Sequence, residues 1–114
     1  MTTRILAVDP GDVRIGLAIS DPTRTIARPL EVLKHQSRQL DAERILALGR
    51  QQGASLILVG VAYDQDGQVG PQARKSLRLV EELRRQGDMP VETWDESGST
   101  QAAAGIKDNG PLDA

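Results

Sequence analysis

The 114-residue chain has no cysteine and no phenylalanine, and Tyr63 and Trp94 are its only Phe/Trp/Tyr-type aromatics. The first absence excludes a disulfide framework and a thiolate metal site. The second leaves the core to aliphatic side chains and speaks against an aromatic platform that stacks nucleobases. A strong charge of one sign is missing too. The formal net charge is −2, so contact with nucleic acid has to come from local patches. Long hydrophobic runs are also lacking. Only four apolar residues follow Met1-Thr2-Thr3-Arg4, too few for a signal-peptide core or a membrane span. A cytoplasmic protein with no membrane segment is the expectation. The remainder is ordinary, 39% hydrophobic and 26% charged, and suits a single domain over residues 1–114.

One stretch organises the rest. Ile5-Leu6-Ala7-Val8 is a buried strand by its unbroken apolar run. Asp9 closes it, Pro10-Gly11 turns the chain, and Ile15 to Ile19 returns as a second strand. Gly11 allows a positive φ and close approach of a ligand to the backbone. A carboxylate at the end of a central strand stands where α/β sheets bind ligands, although a turn cap would use the same residue.

Further along, Pro29 to Leu33 alternates as a third strand, and Ser37 is placed to cap a helix over 38–52. Leu40, Ala42, Ile45, Leu46 and Gly49 form its apolar stripe, and Gly53 stops it. Ser55 to Val61 is a fourth strand. A helix between two strands implies parallel pairing, with the first strand as partner. Gly70-Pro71 opens a second helix over 71–86, whose free N–H groups suit a phosphate. Ala73, Leu77, Val80 and Leu83 are its core face. Arg74, Arg78 and Arg85 share another face, which is either a grip for a phosphate backbone or solvated surface. Pro90 to Trp94 is a fifth strand, and Asp95-Glu96 follows it directly. His35 falls in a polar loop and is expected to be exposed.

Asp9 and Asp95-Glu96 therefore each end an apolar strand, and the proposed sheet brings those ends to one edge. Clustered carboxylates raise one another's pKa unless a cation joins them, and hard oxygen donors suit Mg²⁺ or Mn²⁺. Such ions activate water and stabilise the leaving oxygen of a phosphodiester. No covalent nucleophile is apparent.

The pattern Asp9-x-Gly11-x-x-Arg14-x-Gly16 with Ser20-Asp21 resembles the opening hairpin of the YqgF family. Its members are described provisionally as pre-16S ribosomal RNA nucleases and as Holliday-junction-resolvase-like. Actin-like ATPases and sugar kinases open similarly, but they need two such domains, and this chain is too short. Three later stretches carry the same resemblance: Asp66-Gly67 with Gly70-Pro71-Gln72-Ala73, Asp95-Glu96 with Ser99-Thr100, and Leu112-Asp113-Ala114. Ala62, Asp64, Ser97 and Gly98 depart from the family pattern. Ser97 stands where the family has an arginine.

The resemblance implies a ribonuclease H-like α/β fold, a five-stranded mixed sheet in order 3-2-1-4-5 with flanking helices. It implies a metal-dependent endonuclease with Asp9, Asp95, Glu96 and Asp113 as catalytic carboxylates, the first three holding the metal. Arg14, Gly70, Gln72, Arg74 and Arg78 would bind nucleic acid. The substrate would be structured RNA such as pre-rRNA, in ribosome biogenesis, or branched DNA. Asp113 lacks the closing helix that follows it in the family. That shortfall points to self-association through a bare sheet face and to weak catalysis. A catalytically weak nucleic-acid-binding module of the same fold is the competing function.

Overall fold

A computed structural model describes residues 4–21 and 27–96. Seven elements follow in chain order: β1 (Arg4–Pro10), β2 (Arg14–Ser20), β3 (Ala27–Lys34), α1 (Arg38–Gln51), β4 (Ala54–Val61), α2 (Pro71–Gln86) and β5 (Val91–Asp95). The strands form one sheet in the order β3-β2-β1-β4-β5. The first three strands meander antiparallel. The helical crossovers then bring β4 parallel to β1 and β5 parallel to β4. This is the expected mixed sheet of a ribonuclease H-like fold.

Strand alternation divides the side chains between two faces. Leu6 and Val8 of β1 face the same way as Ile15, Leu17 and Ile19 of β2 and Ile57 and Val59 of β4. Together with Ala42, Ile45 and Leu46 of α1 and Leu79, Val80 and Leu83 of α2 they form the core. Among the described residues no helix covers the opposite face, and Val32 and Trp94 are exposed there. No described helix is long and apolar enough to cross a membrane.

Several local expectations change. β3 begins at Ala27 and not at Pro29, because its pairing with β2 extends to Ser20↔Ala27. Leu40 of α1 points to solvent, and Asp41 is buried instead. Asp41 accepts hydrogen bonds from the Gln36 N–H at 3.1 Å and from Arg44 at 2.8 Å, and pairs with His35. Those partners make burial of its charge tolerable. His35 is exposed as expected, and in addition it has a side-chain partner in Asp41. On α2, Ser76 and Leu79 are buried where Leu77 was expected. Gly11 does not have a positive φ. A side chain is excluded there because a Cβ would stand 2.6 Å from the Arg14 carbonyl oxygen, which accepts the Gly11 N–H at 2.9 Å. The expectations for Ser97 to Thr100, for Asp113 and for a missing closing helix fall outside the described residues.

Candidate active site

Three strands end together at one edge of the sheet. In β1, the inward positions of Leu6 and Val8 put Asp9 on the open face. Its register partner on β2 is Gly16, which adds no side chain beside the carboxylate. Beyond β5, the Glu96 N–H donates to the Val61 carbonyl at 3.0 Å and carries the parallel pairing one residue past the strand. The Glu96 side chain then lies over Gly60 of β4, on the same open face as Asp9.

The two carboxyl groups meet. The Glu96 carboxyl is pushed up to about 7, first by burial and then by the charge of Asp9 and a hydrogen bond with it, with a smaller push from Asp95. Glu96 therefore keeps its proton to a higher pH than a free glutamate does. A cation entering between the two carboxyls would displace it.

Asp95 belongs to the same edge but not to the same face. It is in register with Val61, whose side chain is in the helix-covered interior. Alternation therefore sends Asp95 and Glu96 to opposite sides. The expected convergence of three carboxylates reduces to the Asp9–Glu96 pair. Among the described residues no three His, Cys, Asp or Glu side chains are grouped closely enough to hold a metal ion.

Beside the pair a groove of about 480 Å³ runs over the open face, lined by Ala7, Gly16, Ala18, Pro29 and Trp94. Its floor is made by small residues of β1 and β2. Trp94 is 44% exposed. Composition gave no reason to place this single indole beside the carboxylates, but its register with Gly60 does.

The remaining predicted residues surround this edge. Arg14 is exposed at the start of β2. Gly70 is the N-cap of α2 and Pro71 follows at the first turn, with no side chain capping the helix. Gln72 donates to the Pro10 carbonyl at 3.4 Å and so ties α2 to the β1 turn. The loop before α2 is ordered by Asp64, whose Oδ1 accepts the N–H groups of Asp66 and Gln68 at 3.0 and 2.8 Å. An asparagine oxygen could accept the same two N–H groups, so this departure from the family pattern keeps the contacts that order the loop. Arg74 and Arg78 are exposed on α2. Arg85 is taken up by Glu82, so the anticipated row of three arginines is not free as a unit.

The RuvX family model, described as Holliday junction resolvase, matches residues 3–111. The chain belongs to the RuvX family. A Desulforamulus reducens relative, named provisionally as a pre-16S rRNA nuclease, is 38% identical over 100 residues, covering 88% of this chain and 73% of that protein. A Thermoanaerobacter pseudethanolicus relative with the same name is 39% identical over 100 residues, covering 88% and 72%. Among solved structures, T. thermophilus RuvC in complex with a Holliday junction substrate superposes with a TM-score of 0.60 at 20% identity, over 90% of this chain and 71% of that one. At that identity the likeness is one of fold. The RuvX membership agrees with the family resemblance of the opening hairpin.

Proposed function

We propose that this RuvX-family protein hydrolyses phosphodiester bonds in structured nucleic acid at the Asp9–Glu96 pair, with a precursor of 16S ribosomal RNA as substrate. The observation that carries the proposal is the hydrogen-bonded pair of carboxyls that meet across β4 from the ends of β1 and β5, with Glu96 pushed up to about 7. A pair frustrated in this way fits a hard divalent cation, Mg²⁺ or Mn²⁺, and Asp9 and Glu96 would hold it. When bound, the ion supplies charge neutralisation at the phosphate and a more acidic water. Asp9 fixes the position of the site through its place in a central strand. Glu96, its proton displaced by the ion, would hold the ion from the β5 side. Asp95 contributes to the field at Glu96 from the other side of the sheet. Asp113 is proposed as a further carboxylate, tested by Asp113→Ala.

Arg14 and Arg74, with Gly70 and Gln72 at the start of α2, are proposed to hold the phosphates flanking the cut. The protein would act in the cytoplasm during ribosome biogenesis. Self-association through the open face, where Val32 is 61% exposed, is tested by sedimentation.

The family description favours a second substrate, branched DNA. One experiment separates the two. Labelled pre-16S leader RNA and a four-way DNA junction are incubated with the protein in Mn²⁺ and in Mg²⁺, with Asp9→Asn as control. Metal-dependent RNA cleavage supports the proposal, and cleavage of the junction alone replaces the substrate. Binding of either probe with no cleavage by wild type identifies a non-catalytic module.

A further inference from the structure

Back to back with Asp9, on the helix-covered side of the β1–β2 turn, is a second pocket of about 270 Å³. The turn at Gly11 forms one wall. His35, Arg38, Lys75 and Arg78, drawn from the loop before α1 and from both helices, line it together with the carboxylates of Asp12 and Asp41. The carboxylates nearby are already committed. Asp41 is 2% exposed and its oxygens are occupied by His35, Arg44 and the Gln36 N–H. Asp12 pairs with Lys75 at 2.8 Å. Glu82, one turn along α2 from Arg78, is held by Arg85 and Gln86, with only a weak field from Arg38.

Neither Arg38 nor Arg78 has a hydrogen-bonded carboxylate among the described residues, so two positive charges are left facing the pocket. Two guanidiniums are a donor set for a tetrahedral oxyanion. The pocket is smaller than the roughly 300–1,000 Å³ that accommodates drug-sized ligands, so it suits a compact charged group.

We propose that this pocket binds one phosphate of a nucleic-acid backbone, on a strand that crosses the β1–β2 turn from the Asp9–Glu96 groove. It rests on the nucleic-acid part of the proposed function and not on cleavage. The turn separates the two sites by the thickness of one strand, because Asp9 and Pro10 point to opposite faces.

The test is binding of a fluorescein-labelled RNA hairpin in chelator, followed by anisotropy across a KCl series. The Arg38→Gln/Arg78→Gln double variant should lose about tenfold in affinity at low salt. The slope of log affinity against log salt should shrink by about one, the loss of one phosphate contact. Arg28→Gln/Arg50→Gln makes the same charge change at the opposite end of the sheet and should leave the slope unchanged. In parallel, inorganic phosphate is titrated against the ¹⁵N-labelled full chain, with saturable shifts expected at the Gly11 and Lys75 amides in wild type only. An unchanged slope in the Arg38/Arg78 variant overturns the proposal, with or without a phosphate response. A phosphate response alone would identify a free-anion site. A reduced slope in a protein that cleaves nothing in Mn²⁺ supports the pocket and refutes the nuclease reading.

Discussion

The carboxyl group of Glu96 occupies the space that a side chain on Gly60 would need. A Cβ on Gly60 would stand 2.7 Å from Cδ and from Oε1 of Glu96. The atoms in the way are the far end of a flexible side chain, so the strand can keep its place while Glu96 moves. Gly60→Ala is expected to fold normally and to lose about a hundredfold in cleavage rate through displacement of one reacting group. Rates and circular-dichroism melts measured together check this. A variant that cleaves like wild type would show that Glu96 is not at the reacting centre.

Asp9→Asn should also keep the fold, because asparagine is tolerated at a strand end leading into a turn. It removes the charge that opposes ionisation of Glu96. Metal-dependent cleavage should disappear, while hairpin affinity in chelator stays within about twofold of wild type. Retained cleavage would move the metal site elsewhere.

The acid–base state of Glu96 should appear in stability. Its carboxyl is raised from 4.5 to about 7, so the folded protein holds a proton that the unfolded chain releases. Stability is therefore lost as pH rises through that window and the penalty is complete above it. Glu96→Gln should melt at a higher temperature than wild type at pH 8, and the difference should shrink at pH 4. Equal differences at both pH values would mean that the group is not perturbed.

The same proton sets the cation's pH dependence. Mn²⁺ must displace it, so calorimetric affinity should rise with pH up to about 7 and then level, with proton uptake by the buffer on the rising limb. Mn²⁺ should raise the melting temperature of wild type at pH 8 and leave Asp9→Asn unmoved. A flat affinity profile would separate Glu96 from the ion.

Asp41 is a structural counterpart to these residues. Asp41→Ala removes the acceptor of the Gln36 N–H and one of the two acceptors of the Arg44 guanidinium, which keeps the Lys34 carbonyl. A loss of about 2 kcal/mol is expected from the hydrogen bonds to this buried carboxylate, because its partners His35 and Arg44 are themselves partly solvated. Urea unfolding measures it, and a loss below about 1 kcal/mol would show that water replaces the carboxylate.

Much of this was determined by local sequence. Apolar runs ending in Asp9 and in Asp95-Glu96, and the switch from strand to helical periodicity after Ser37, specify the elements, their order and the edge at which acids collect. These are short-range features: period, turn residues and caps act within a few positions. Pro71 at the start of α2 and Ser37 before α1 were legible for that reason.

Only the tertiary structure decided which acids meet. Asp95 and Glu96 are neighbours in the chain and equivalent by composition, but β5 pairs with β4 in a register that sets Asp95 beside Val61. Period-two alternation then gives Glu96 alone to Asp9, over the space left by Gly60. The burial of Asp41 and the pocket around Arg38 and Arg78 have the same origin. Each depends on contacts between segments far apart in sequence, and no local pattern encodes where two distant segments come to rest.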